Sequence, residues 1–245
     1  MATWIVHLRI AGHLLDRIPG LAPSAFAIGS IAPDCGVPDA NWEKFTPDPQ
    51  VTHFIEGSGP RRIIGDLRFY RQHLHPLRTA ENIPATVFSF RLGYFFHLLT
   101  DNLWSRKVDL PIRKRWAEQF AANPRFIDTV KNNTYGLDFV YLRDHPGCPI
   151  WQIFLNSEYE PAGLDFLPDD AVRQRVEYIK DFYQRQDEEV TEAMNSPMPF
   201  LSIAGMDCFV EEAAGEMVRA FNRLWMENEA AGEGITILDM PYGRR

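Results

Sequence analysis

The segment Phe88-Ser-Phe-Arg-Leu-Gly-Tyr-Phe-Phe-His-Leu-Leu-Thr-Asp-Asn-Leu-Trp104 constrains this chain more than any other. It is apolar nearly all round, which predicts a buried helix. It nevertheless carries His97 and Asp101. A spacing of four places both on one helix face, one turn apart. A buried carboxylate is costly unless it is paired or bound to a metal. An imidazole and a carboxylate converging from one buried face suit a zinc-type cation; a structural ion pair between the two is the plainer alternative.

The chain has 245 residues, enough for one large domain or two small ones. Hydrophobic residues make up 45%, including 17 Phe, 8 Tyr and 6 Trp, so a substantial core is available to enclose that helix. The net charge of -8 argues against nucleic acid as the main partner, because phosphate backbones select basic faces. Cys35, Cys148 and Cys208 lie far apart with no Cys-x-x-Cys, so no disulfide framework is expected. The start of the chain lacks a basic segment followed by an apolar run, so no signal peptide is expected. The stretch around Val87 to Trp104 is a poor membrane span because it carries Arg91, His97 and Asp101. A cytoplasmic protein without a membrane span is the expectation.

Periodicity predicts a single, mostly helical domain over residues 1–245, with no convincing alternating strand. Helices are expected at 3–18, 60–75, 84–104, 110–122 and 124–132, at 169–194 and at 207–230. Residues 19–60, rich in Pro and Gly, read as a long irregular segment with a short helix at Ser24–Ser30, and long loops are often functional. Asn132-Asn-Thr-Tyr-Gly136 reads as a turn, 137–165 as irregular and aromatic, and the tail from Ile235 as extended. Asp169 or Asp170 is expected to cap the helix that follows.

The polar residues in apolar or glycine-bounded settings are His7, Asp34, His53, His97 and Asp101. All are hard or borderline ligands. Each also has a plain reading: a hydrogen-bonded core histidine for His7 or His53, and a turn or cap for Asp34. His73, His75 and His145 lie in ordinary polar settings, and His13, beside the first helix's apolar stripe, is a weak candidate. Arg61 and Arg62 read as a solvated helix start or as phosphate contacts, and Arg91 as one half of an ion pair. Trp151 and Phe154 are expected to pack the core.

Taken jointly, His7 in His-Leu-Arg-Ile-Ala, Gly29-Ser-Ile-Ala-Pro-Asp34, Thr52-His-Phe54 and Gly93-Tyr-Phe-Phe-His-Leu-Leu-Thr-Asp101 resemble the zinc-dependent phospholipase C family, related to the P1-type nucleases. The resemblance covers roughly the first 105 residues and implies an all-α bundle with one or two zinc ions. It implies that Asp34, His53, His97 and Asp101 hold one zinc, with Asp101 bridging to a second that His7 also ligates. In the secreted enzymes of that family the N-terminal tryptophan holds the second metal through its amine and carbonyl; here Trp4 is internal. Those enzymes take a further zinc on two histidines and a glutamate. This chain has only His145 after Asp101, and nothing selects among Asp109, Glu118 and Glu158.

The reaction so implied is hydrolysis of a small-molecule or lipid phosphoester by metal-activated water, with Asp34 as the catalytic carboxylate. The alternative is a non-catalytic helical protein with a structural metal site. An HD-type phosphohydrolase would carry adjacent His-Asp, a dipeptide this chain lacks.

Overall fold

In the computed structural model, which describes residues 1–40, 44–57 and 62–241, Phe88 to Trp104 lies within helix α5 (Ala85–Trp104). Pro84 stands at its N-cap, and every residue from Leu92 to Trp104 is buried. The neighbours that bury it are α1 (Trp4–Leu15), α2 (Pro23–Gly29) and α12 (Ile203–Phe221), with α9 (Pro149–Leu155) packed on α1 and α2. The stripe Ile5, Leu8, Ala11 and Leu14 of α1 is buried, as its helical spacing requires. The result is an all-α bundle.

The α2–α5 crossing is close for a specific reason. A Cβ on Gly29 would lie 2.1 Å from the Phe90 carbonyl oxygen, and one on Gly93 would lie 2.5 Å from the Phe26 carbonyl oxygen. Two glycines facing one another let the backbones touch. That contact sets Ser30, just past α2, against the middle of α5.

The irregular segment after α2 contains a 3-10 turn (Ala32–Asp34) and short α3 (Pro49–Thr52), capped by the Asp48 carboxylate on the Gln50 amide. It also contains two antiparallel ladders, β1 (Val37–Pro38) with β2 (Phe45–Thr46) and β3 (Ile55–Glu56) with β4 (Ile63–Ile64). These strands are two residues long, too short to show an alternating pattern. Because Ile63 and Ile64 pair with β3, the helix expected at 60–75 starts later. It comprises α4 (Asp66–Phe69) and a π-helical turn, Tyr70–Leu74. Residues 58–61, including Arg61, lie outside the described residues.

Downstream, the expected helix at 110–122 divides at Trp116 into α6 (Leu110–Arg115) and α7 (Ala117–Ala122). The turn expected at 132–136 is absent: α8 runs unbroken from Phe126 to Asp144. Tertiary contacts override the local signal. A Cβ on Gly136 would lie 2.6 Å from the Ala193 carbonyl oxygen, so this glycine permits close approach of α11 (Glu188–Asn195). Asn133 accepts the Phe200 amide at 3.2 Å. The region read as irregular thus holds the end of α8 and all of α9, and Trp151 and Phe154 of α9 are buried in the core as expected. Helix α10 (Asp169–Gln184) has Pro168 at its N-cap, with Asp169 and Asp170 in the first turn instead of capping it. Ser202 caps α12, which begins four residues before the expected start and continues as a π-helical turn, Asn222–Met226. The tail contains a 3-10 turn at Ile237–Asp239. Cys35 and Cys148 are buried and Cys208 is exposed, all as free thiols.

Two buried carboxylates tie distant parts of the chain together. Asp66 accepts the Ile237 amide at 2.9 Å and the Asn102 side chain at 2.7 Å, and burial pushes its carboxyl up to about 6. Asp138 of α8 accepts the Thr3 hydroxyl at 2.8 Å and the Tyr183 hydroxyl at 2.5 Å, and burial pushes it up to about 7. Both stand above the ordinary 3.8, so the unfolded chain releases these protons at lower pH than the fold does. Their contribution to stability is therefore full below about pH 4 and is lost as pH rises to about 7. Asp138→Asn is expected to flatten this fall, read as the denaturant midpoint at pH 5 against pH 7.5. An unchanged difference between the two midpoints would remove Asp138 from the account.

Candidate metal centre

Five side chains from four elements meet beside α5. His7 comes from the second turn of α1, Asp34 from the 3-10 turn, His53 from the C-cap of α3, and His97 with Asp101 from α5. His53 Nε2 lies 3.4 Å from Asp34 Oδ1 and 3.7 Å from Asp101 Oδ2. His97 Nε2 lies 3.6 Å from Asp101 Oδ2, and His7 Nε2 lies 3.5 Å from Asp101 Oδ1. The two oxygens of Asp101 thus face different histidines. Among the described residues, two sets of donor atoms fall within 4.8 Å of one another: His7, His97 and Asp101, and Asp34, His53 and His97.

The surrounding bonds fix which ring nitrogens are free. His97 Nδ1 lies 2.9 Å from the Ser30 carbonyl oxygen, which can only accept, so Nδ1 carries the proton. The lone pair of Nε2 is left facing the cluster. It meets His53 Nε2 at 3.3 Å, so at most one of these two nitrogens carries a hydrogen. His53 Nδ1 is engaged by the Thr52 hydroxyl at 3.1 Å, and Tyr94 donates to the Thr52 carbonyl at 2.6 Å. A histidine held by its outer nitrogen while the inner one faces a shared centre is the arrangement metal ligands adopt. Just after His53 the chain turns at Phe54, whose φ of 52° is left-handed. Its ring packs against Phe69 and Phe166, which offsets that strain.

The charge state favours a cation. Burial opposes the Asp34 charge, but the hydrogen bond and positive charge of His53 outweigh it, leaving the carboxyl at about 2. Burial likewise opposes ionisation of Asp101, yet His7 and the chain's amino terminus hold it well below the usual carboxylate range. Burial, reinforced by His7, lowers His97 to about 3, so its ring is neutral. His53 is raised despite burial, because Asp34 bonds to it and both carboxylates attract its charge. His7 Nδ1, His7 Nε2 and Asp101 Oδ2 are buried with no hydrogen-bond partner among the described residues. Buried polar atoms are rarely left so. Unpartnered imidazole and carboxylate atoms around a neutral histidine lone pair fit zinc.

Of the sequence candidates, all five lie in this cluster and the rest lie elsewhere. His13 pairs with Glu211 at 3.4 Å on the surface, and His145 is exposed with Nδ1 on its own helix at Tyr141. His73 packs among Phe54, Phe69 and Phe166. Asp109 pairs with Arg113 at 3.2 Å, while Glu118 and Glu158 are exposed. Arg62 is exposed. Among the described residues Arg91 has no partner for the ion pair expected; it donates to the Ala162, Gly163 and His73 carbonyls.

Read from the sequence, Trp4 is internal, so the main-chain metal ligand that the family resemblance implies is missing. The structure instead has its indole Nε1 donate to Asp34 Oδ2 at 2.9 Å. The Ala2 amide donates to Asp101 Oδ1 at 2.8 Å, which no sequence signal announced.

Residues 6–104 match the family model for zinc-dependent phospholipase C, a span containing all five clustered residues. No curated protein and no solved structure matches the chain. Zinc is the metal implied by this family and by the donor set together. Among the described residues, no helix is long and apolar enough to cross a membrane.

Proposed function

We propose, from the zinc-dependent phospholipase C match, that the chain is a zinc-dependent phosphoester hydrolase with His7, Asp34, His53, His97 and Asp101 as its metal ligands. The observation that carries this reading is the set of unpartnered buried atoms, His7 Nε2 and Asp101 Oδ2, beside the free His97 lone pair. His7 and His97 stack face to face, 3.8 Å between centroids and 8° between planes. Rings so stacked cannot both aim an in-plane lone pair at one ion. This favours two metal positions: His53, His97, Asp34 and Asp101 Oδ2 around one, His7 and Asp101 Oδ1 at the other.

Bound zinc would supply Lewis acidity and a water acidified to a pKa of ~7. The chain's own groups do the rest. Asp34 is the ligand with the most solvent access, its side chain 11% exposed against 1% for His53. Its Oδ2 is held by Trp4, which fixes the carboxylate plane. Because the carboxyl sits at about 2, Asp34 orients the attacking water as an acceptor and is not a store for its proton. The Ser30 carbonyl keeps the His97 ring in one tautomer through the cycle. The substrate class is a phosphodiester or phosphomonoester, lipid or small and soluble. The three free thiols favour a reducing, cytoplasmic setting.

Elemental analysis of the purified chain tests this first, with one or two zinc per chain expected. A panel of phosphodiesters and phosphomonoesters should show turnover that chelation abolishes and zinc restores. A well-folded chain that takes up no zinc would end the proposal. The burial of His7, His53, His97 and Asp101 favours one second reading, a structural zinc. It predicts zinc uptake and a higher melting temperature with no turnover on any member of the panel.

A further inference from the structure

Beyond the zinc ligands, one buried cation lies beside the centre and outside the family-matched span. Arg175, on α10, is 7% exposed. Its guanidinium lies 5.5 Å from the centroid of the Trp4 ring, the ring whose indole nitrogen holds Asp34. It also lies 5.2 Å from the Tyr178 ring centroid, a ring that packs edge-on against Trp4. One terminal nitrogen, Nη2, donates to the Gly36 carbonyl, two residues past Asp34. Its positive field reaches the Cys35 thiol and the Tyr135 hydroxyl, which also feel the Asp34 charge.

Two features of this arginine are unsatisfied. Nε is buried with no hydrogen-bond partner among the described residues. Among the described residues, no carboxylate stands at ion-pair distance from it, whereas Arg9, Arg17 and Arg173 each have one. A buried guanidinium is expensive unless an anion balances it. The ring faces of Trp4 and Tyr178 soften that cost without supplying an acceptor for Nε. An incoming anion would supply both the charge and the acceptor. A guanidinium edge matches phosphate oxygens with parallel N–H donors.

We infer that Arg175 is the group that receives the substrate's phosphoryl oxygens next to Asp34. This rests on the phosphoester reading above and names a residue for its substrate anion. Arg175 adds to binding, and its charge also opposes the negative charge that builds on the phosphoryl group during attack.

The test uses the zinc-loaded full chain, with Arg175→Met to remove the charge while keeping the stem, and Arg175→Lys to keep the charge without the fork. Inorganic phosphate binding is measured by calorimetry, and kcat and KM on bis(4-nitrophenyl) phosphate, alongside zinc content and thermal unfolding. The Met variant is expected to keep its zinc, bind phosphate roughly tenfold or more weakly, and lose at least as much in kcat/KM; Lys should recover part of both. Wild-type phosphate affinity and kcat/KM in a folded, zinc-bearing Met variant would reduce Arg175 to a structural tie to Gly36. Should the Met variant fail to fold, Arg175→Gln carries the same test, and wild-type phosphate affinity and kcat/KM in that variant would overturn the proposal equally. If the wild-type chain binds phosphate through Arg175 but hydrolyses nothing, the anion site stands and the hydrolase reading falls. If hydrolysis proceeds indifferent to Arg175, the hydrolase reading stands and the anion site falls.

Discussion

Replacing Gly29 by alanine is expected to cost on the order of 5 kcal/mol or to prevent folding, because this clash has no flexible side chain to absorb it. The added Cβ would stand 2.1 Å from the Phe90 carbonyl oxygen and 2.8 Å from its carbon, both main-chain atoms inside α5. Relief requires α2 and α5 to separate, and that motion opens the bundle along its longest buried helix. It also withdraws Ser30, the next residue, from His97 Nδ1. Zinc uptake should therefore fall with stability. Gly93→Ala, facing Phe26 O at 2.5 Å, should behave alike. Gly215→Ala on α12 is the contrasting case: its Cβ would meet only the Arg219 side-chain tip at 3.6 Å. There the gain in helix propensity should be neutral to about 1 kcal/mol stabilising. Thermal unfolding and zinc content of the three variants decide the matter. A Gly29→Ala chain that melts with the wild type would refute the backbone-to-backbone crossing.

His97→Ala is expected to abolish zinc binding at micromolar zinc and to lower turnover by roughly 10³-fold. It removes the histidine shared by both groups of donor atoms among the described residues. The loss has a thermodynamic readout that does not need a substrate. A metal present at a thousand times its Kd adds about 4 kcal/mol to stability. The wild-type melting temperature should therefore rise with added zinc and drop with chelator, while the His97→Ala variant should respond to neither. Asp101→Asn should also lose this response, since an amide keeps the shape but not the charge that faces His7, His53 and His97. Full zinc occupancy in both variants would place the metal elsewhere in the chain. Unfolding of both, with zinc restoring the wild type alone, would favour the structural reading.

The amino-acid sequence by itself determined the buried helix, its His97–Asp101 pair and the all-α class. These are local: a helix repeats every 3.6 residues, so a spacing of four fixes a shared face before any packing is known. The same logic made the α1 stripe and the short helix after Pro23 legible. It failed where a residue's role depends on a distant neighbour. Gly136 resembled a turn signal, yet it lies inside α8 because Ala193 needs the space. Trp4 was legible as a tryptophan near His7, while its bond to Asp34 depends on how α1 lies against the 3-10 turn. Arg175 carried no signal at all, being one arginine in a polar-faced helix 141 residues beyond Asp34. The tertiary structure alone decided that His7, Asp34, His53 and the α5 pair converge, that their outer nitrogens meet Ser30 and Thr52, and that Arg175 sits uncompensated beside them. The reason is physical: donor direction, burial and charge balance belong to the space between helices, which no local spacing specifies.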